Sequence, residues 1–284
     1  MIQKLLVPTD FSPQALNALK AAAQLARRYK ADIYLLHLLE MPEVFIDGPA
    51  TQHQSQLPEA LYYMKLAHKK FSNILKAPFL EGIKIYETAE FDGAFEGIMT
   101  YVKKYNIDAI VMGSHGMSGI QEFFIGSNTE KVVRHSEIPV FVIKNELNIF
   151  NIRNFVFATD LQEESLEAIQ EAIKFAQSEE ASLHMLYVNT PNRFKTTQEI
   201  TSICKGFLKK IGQKSQKLTI YNDVSVERGI LNFAESIKAD LIGIGTHGRK
   251  GLAHFLNGSI SEDLVNHAQR PVVTFKISFE IKSR

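Results

Sequence analysis

One cysteine, Cys204, stands in 284 residues. A disulfide framework within the chain is therefore excluded, and so is a cysteine-built metal cluster. No apolar run approaches the ~18 residues that a membrane helix needs. The first eight residues, Met1 to Pro8, enter a strand-like run with no charged segment, long apolar stretch and small-residue cleavage site before it. An excess of charge of one sign is absent too. Lys+Arg is 32 and Asp+Glu is 31, which removes the electrostatic case for a nucleic-acid or membrane-surface protein. The nine histidines include no His-x-x-x-His pair and no metal-site spacing, so no metal site is expected. What is present is ordinary: 45% hydrophobic and 22% charged residues, enough to build a core. The expectation is a cytoplasmic protein of one large or two ordinary domains.

The chain repeats itself. Thr9-Asp10 matches Thr159-Asp160 at an offset of 150, and the next apolar run, Ile33–Leu38, matches Leu183–Val188 at the same offset. Farther on the offset is 132. Asp108-Ala-Ile-Val-Met-Gly-Ser-His-Gly116 matches Asp240-Leu-Ile-Gly-Ile-Gly-Thr-His-Gly248, Gly126-Ser127 matches Gly258-Ser259, and Pro139-Val140 matches Pro271-Val272. The first copy thus carries 18 extra residues, placed near 41–58 because Pro42, Gly48, Pro49 and Pro58 read as a loop there. That segment is either a lid or a tolerated surface loop. A period this long indicates two copies of one domain rather than a solenoid. The domains are 1–147 and 148–284, joined around 145–153.

Each copy alternates short apolar runs with helical periodicity. In the first, strands are expected at 5–9, 33–39, 83–87, 109–113 and 140–144. Helices are expected from Ser12-Pro13, a hydroxyl cap followed by a proline whose missing N–H is harmless there, and at 57–76, 97–105 and 128–135. The second copy places helices near 163–177, 197–212, 229–238 and 260–267. This order predicts an α/β fold: two tandem doubly wound, Rossmann-like domains, each with a five-stranded parallel sheet covered on both faces. Such folds bind ligands beyond the carboxyl ends of their strands.

The glycine loops sit at such ends. Gly113-Ser-His-Gly116, nine residues, then Gly126-Ser127 is repeated as Gly245-Thr-His-Gly248, nine residues, then Gly258-Ser259. Each second Gly-Ser precedes a helix whose first amides lack intrahelical partners, and glycine lets backbone approach a phosphate. No Gly-Lys-Ser/Thr follows, so this is not a Walker loop, and Gly-x-Gly-x-x-Gly is absent at the first strand. Asp10 and Asp160 could also cap the helices that follow them. His115 and His247 lack a nucleophile or carboxylate partner in their motifs and read as loop-packing or phosphate-adjacent residues. Cys204 lies among Ile200, Ile203, Phe207, Leu208 and Ile211 and reads as a small buried residue. Arg249 and Lys250 follow Gly248 where the first copy has Met117 and Ser118. They are either a solvated pair or an attractor of phosphates that makes the second site the tighter one. Phe123, Phe124, Phe255 and Leu256, ahead of Gly126 and Gly258, pack on the core or rim the site.

The pattern Gly-x-x-Gly-x9-Gly-Ser resembles the ATP-binding signature of the universal stress protein family. The Thr-Asp ending the first strand and the closing Pro-Val strand resemble that family as well. The likeness covers nearly the whole chain, twice, and implies a tandem universal stress protein of adenine nucleotide alpha hydrolase-like fold. It implies that Asp10 and Asp160 meet the adenosine part of a nucleotide, and that backbone near Leu38 and Val188 receives the adenine. It implies that Gly113, Gly116, Gly126 and Ser127, then Gly245, Gly248, Gly258 and Ser259, hold phosphates and ribose. The implied cofactor is ATP, with or without Mg, and the implied role is a nucleotide-dependent sensor or adaptor in stress response, acting on an unidentified protein partner. A slow ATPase or nucleotidyl-transferring enzyme using the same cleft, and a nucleotide-free scaffold, are the alternatives; no catalytic residue is assigned. The fifth strands would lie at sheet edges, which invite pairing. In the family resembled they pair between subunits, so here an internal pseudo-two-fold dimer is expected, with assembly of whole chains into homodimers left open.

Overall fold

In the computed structural model the described residues are 2–40, 50–116, 126–210, 212, 218–247 and 258–277; for 50–58, 247 and 258–262 the backbone alone is described. The first half runs β1 (Lys4–Pro8), α1 (Pro13–Tyr29), β2 (Asp32–Leu39), α2 (Ala50–Ile74), β3 (Ile85–Phe91), α3 (Ala94–Tyr105), β4 (Ala109–Gly113), α4 (Ser127–His135) and β5 (Val140–Ile143). The second runs β6 (Asn154–Ala158), α5 (Leu166–Ser178), β7 (Ser182–Asn189), α6 (Thr197–Lys210), β8 (Leu218–Asn222), α7 (Val226–Ser236), β9 (Leu241–His247), α8 (Gly258–His267) and β10 (Val272–Ile277).

The strands form one ten-stranded sheet in the order β3-β2-β1-β4-β5-β10-β9-β6-β7-β8. Within each half every pairing is parallel; β5 and β10 meet antiparallel, with Phe141 opposite Val273. The expected edge strands therefore lie at the centre of the sheet, and Val140–Ile143 is buried throughout. The seam is aromatic: Phe141 stands 5.5 Å from Phe175, which also touches Phe155 and Phe275. One core layer lies under α1, α2, α5 and α6 and the other under α3, α4, α7 and α8, each crossing both halves. α4 of the first half also packs against β9 of the second.

The segment joining the halves is strapped along α1. Lys20 pairs with Glu146, Gln24 accepts from the Phe150 amide at 2.6 Å, and Arg28 donates to the Phe150 carbonyl at 2.7 Å. These three residues stand four apart, on one stripe of the helix. Arg28 also meets Glu179 at 3.3 Å, and Tyr29 donates to the same carboxylate, so α1 is tied to the end of α5.

Local signals explain most boundaries. Ser12 caps α1, its hydroxyl accepting from the Ala15 amide at 3.2 Å, and Lys30 closes the helix in the left-handed region. Three expectations are corrected. Residues 50–58 of the expected loop are helical, so α2 begins at Ala50 and carries Pro58 inside it; residues 41–49 lie outside the described set. β3 begins later and ends later than 83–87, because Ile83 closes a tight turn on Leu80 while β2 pairs as far as Leu39–Phe91. The polar run Glu87, Thr88, Glu90 is tolerated at the sheet's edge. α7 begins at 226 rather than 229, since the Ser225 hydroxyl accepts from the Arg228 amide at 3.2 Å.

Candidate functional site

Strand order reverses between β1 and β4: the chain crosses from β1 to β2 and β3 on one side, then returns to β4 and β5 on the other. A cleft opens where those two strands end. It encloses about 380 Å³ and is lined by the end of β1 (Pro8, Thr9, Asp10), the end of β2 (Leu36, Leu38, Glu40), Ile98 of α3, the end of β4 with its turn (Met112, Gly113, His115, Gly116) and the start of α4 (Gly126, Ser127, Asn128, Thr129). The six first-half residues that the resemblance assigns to a nucleotide, Asp10, Leu38, Gly113, Gly116, Gly126 and Ser127, thus border one space.

The backbone makes this convergence possible. A Cβ on Gly113 would stand 3.0 Å from the Gln14 backbone carbon, so glycine lets the first turn of α1 approach the end of β4. A Cβ on Gly116 would stand 2.4 Å from Asp10 Oδ2: the carboxylate lies against the glycine loop. The other carboxylate oxygen of Asp10, Oδ1, accepts from the Ser12 amide at 2.9 Å. Asp10 therefore organises the turn, while Ser12 caps the helix. Phe11 between them holds a left-handed φ of 67°, uncommon for a bulky residue. At the far wall, Gly126 donates to the Ser114 carbonyl at 2.8 Å and makes no side-chain cap for α4. Glu130 is the first residue to bond back, to the Gly126 carbonyl. The amides of Ser127, Asn128 and Thr129 are thus the positions the helix cannot bond within itself. Thr129 anchors this turn by donating to the Gly113 carbonyl at 3.0 Å. The Ser114 hydroxyl and His115 Nδ1 lie 3.0 Å apart. Behind Asp10, His37 Nδ1 sits 2.7 Å from the Thr9 carbonyl, and burial holds this imidazole below its ordinary pKa.

The second half repeats the scheme with different side chains. Asp160 accepts from the Gln162 amide at 3.1 Å and from the Ser165 hydroxyl at 2.7 Å, and it is 6% exposed. Described residues around it, including Ser165, Ile230, Ile244 and Gly245, enclose about 10 Å³. A Cβ on Gly245 would meet the Ile277 side chain at 2.6 Å. Val188 is buried against Gly229 of α7 and does not line that space. Gly258 and Ser259 begin α8. Gly248, Arg249, Lys250, Phe255 and Leu256 lie outside the described residues, as do Met117, Ser118, Phe123 and Phe124. Cys204 is buried, and burial raises its thiol pKa. Among the described residues no cluster of three metal-ligating side chains occurs, and no helix is long and apolar enough to cross a membrane.

Sequence reading missed Ser165, the hydroxyl that partners Asp160. Its signal was available: at an offset of 150 it replaces Ala15, which packs beside the first cleft.

Fold and cleft define a doubly wound α/β protein with a cleft at a strand-order switch. A model of the universal stress protein family matches residues 1–144 and 207–276. The chain belongs to the universal stress protein family. Universal stress protein MJ0577 of Methanocaldococcus jannaschii is 28% identical over 159 residues, covering 51% of this chain and 97% of that one. Universal stress protein YxiE of Bacillus subtilis is 29% identical, covering 51% of this chain and all of its own length. The crystal structure of a universal stress protein from Archaeoglobus fulgidus superposes with a TM-score of 0.65 at 21% identity, covering 97% of this chain and 96% of that one, a likeness of fold.

Proposed function

We propose that the chain binds an adenine nucleotide, ATP with or without Mg, and acts in stress response as a nucleotide-dependent sensor or adaptor on a protein partner. The supporting observation is the convergence of Asp10, Leu38, Gly113, Gly116, Gly126 and Ser127 on one cleft of about 380 Å³, within the range typical of small-molecule sites. The fit is good on two counts. A Cβ on Gly113 would meet Gln14 and one on Gly116 would meet Asp10, so glycine brings the turn, α1 and the aspartate together, and the first amides of α4, at the cleft's wall, have no intrahelical partners. In this reading Asp10 meets the ribose or base, the end of β2 at Leu38 receives the adenine edge, and Gly126 and Ser127 take phosphate. The corresponding second-half set is Asp160, Val188, Gly245, Gly248, Arg249, Gly258 and Ser259. The chain divides into domains 1–147 and 148–284, and the β5–β10 pairing makes it an internal pseudo-dimer.

Binding stabilises the folded state; ligand at ~100 times its dissociation constant adds about 2.7 kcal/mol. Ordering of loops by the nucleotide then alters the surface offered to a partner. Mass spectrometry of the denatured, as-purified protein is expected to show adenine nucleotide, and melting is expected to rise with ATP–Mg. Absence of both removes the proposal.

A further inference from the structure

α2 runs for 25 residues, against 14 in α6, which follows the matching strand of the second half. Its later turns are anchored: Ala67 and Phe71 are buried, and Met64 and Ile74 pack against the same core. The turn before them is not. Residues 59–63 include no buried position, and Pro58, just ahead of them, lacks the amide hydrogen that a helix interior uses. A turn that buries nothing gains little from its own chain, because helices in proteins are stabilised mainly by packing. The face opposite the core carries a stripe at spacings of three, four and three: Glu59, Tyr62, Leu66 and Lys69. Glu59 and Lys69 are exposed, as are Tyr62 at 62% and Leu66 at 38%. Tyr63 stands beside them, its ring 5.7 Å from that of Tyr62. The stripe thus reads acid, apolar, apolar, base. Turned end for end about its midpoint it is its own complement: Tyr62 meets Leu66 of a second copy, and Glu59 meets Lys69, each contact made twice. Parallel pairing would set Glu59 on Glu59 and Lys69 on Lys69, and like charges so placed are selected against.

We propose that the outer face of α2 is a self-recognition surface, on which two copies of this chain pair antiparallel through Tyr62, Leu66 and the reciprocal Glu59–Lys69 contacts. The contact is isologous, the same stripe on both copies about a two-fold axis. Four residues a side form its seam, against about 20–30 in a standard interface, so the pair forms at high concentration and parts on dilution. Lys65, also exposed, flanks the seam near the axis and faces its own copy there, which opposes pairing.

The test is sedimentation of the full chain over a dilution series, at low and at high salt. Expected is a monomer–dimer equilibrium. Glu59→Lys or Lys69→Glu alone should weaken it about tenfold at low salt and less at high salt, where exposed charges are screened. An equimolar mixture of these two variants should recover the lost affinity, because every charge contact in the mixed dimer again joins a lysine to a glutamate. Leu66→Asn should weaken pairing at both salt concentrations, and Lys65→Gln should tighten it severalfold at low salt. A chain that stays monomeric at its highest soluble concentration overturns the proposal, whether the face then proves protected from hydrogen exchange by its own chain or cosediments with anionic vesicles. So does a dimer indifferent to both charge reversals, or a pair of reversed variants that fails to associate on mixing.

Discussion

The two halves share a strand order and a pair of glycine motifs, yet they use their strand-end aspartates differently. Asp10 is half-buried, abuts Gly116, and opens onto about 380 Å³. Asp160 is buried and bonded to the Ser165 hydroxyl. At the position where the first half has Ala15 the second has Ser165, whose hydroxyl donates to the Asp160 carboxylate. The family model matches the first half through residue 144 and the second from 207. The unmatched stretch contains β6, α5 and β7, the elements that place Asp160. A repeated fold can thus keep its core while residues of the turn after its first strand change, as Ala15 and Ser165 do.

The sharpest way to break this comparison is to remove each aspartate. Asp10→Ala is expected to weaken adenine-nucleotide binding at least tenfold, read by titration, and to lower unliganded stability by less than its counterpart. Asp160→Ala strands a buried hydroxyl and an amide, at a cost of about 1–3 kcal/mol in chemical denaturation. If the two variants lose binding and stability in equal measure, the halves do not differ as described.

Exchange of the local partner is expected to act next most strongly. Ala15→Ser gives the first half the residue that stands at the matching position of the second and is expected to weaken nucleotide binding severalfold. The reverse change, Ser165→Ala, removes the bond to Asp160 and should cost about 1 kcal/mol. An Ala15→Ser variant that binds as tightly as the parent chain would place the difference elsewhere in the turn.

Much of this was legible in the residues. Ser12-Pro13 announced α1 because a cap and a proline act locally, and Thr9-Asp10 with the glycine loops marked the strand ends because few residues tolerate those backbone approaches. The repeat itself predicted two matching sheets. Less legible were features set by distant partners. Asp108 and Asp240 were visible only as matching letters. In the structure Asp108 Oδ2 accepts from the Gln3 and Lys4 amides at 2.7 and 2.9 Å, and Asp240 Oδ2 from the Arg153 and Asn154 amides at 2.9 and 2.8 Å. Each carboxylate pins the start of a first strand to the start of a fourth, about a hundred residues away in the first half, which no local pattern reveals. Equally, the strap of Lys20, Gln24 and Arg28 along the connecting segment reads in sequence as an ordinary polar helix face.

These paired pins sharpen the comparison from the opposite side, because here the halves agree. Asp108→Ala and Asp240→Ala are each expected to cost about 1–3 kcal/mol, by the loss of two amide bonds apiece, with nucleotide affinity unchanged. Denaturation of both variants measures whether the scaffold is symmetric where the sites are not. A large difference between them would extend the asymmetry to the fold itself.

The smallest expected effect concerns pH. At an offset of 150, His37 corresponds to Tyr187. Burial lowers the His37 pKa first of all; the bond to the Thr9 carbonyl and the nearby Asp10 oppose this, and Lys70 adds to it. A histidine whose pKa is depressed in the folded state binds its proton more readily when unfolded. Stability is then full above the ordinary imidazole value and falls as pH drops through that value toward the folded one. Tyr187 is shifted by burial in the opposite sense, upward, and so is not charged in this range. Acidification from pH 7.5 to 5.5 should therefore lower the melting temperature by a component that His37→Gln removes, while Tyr187→Phe leaves the slope untouched. Because His37 holds the carbonyl that precedes Asp10, the same acidification should loosen the first cleft before the second half responds, and an unchanged pH slope in His37→Gln would sever that link.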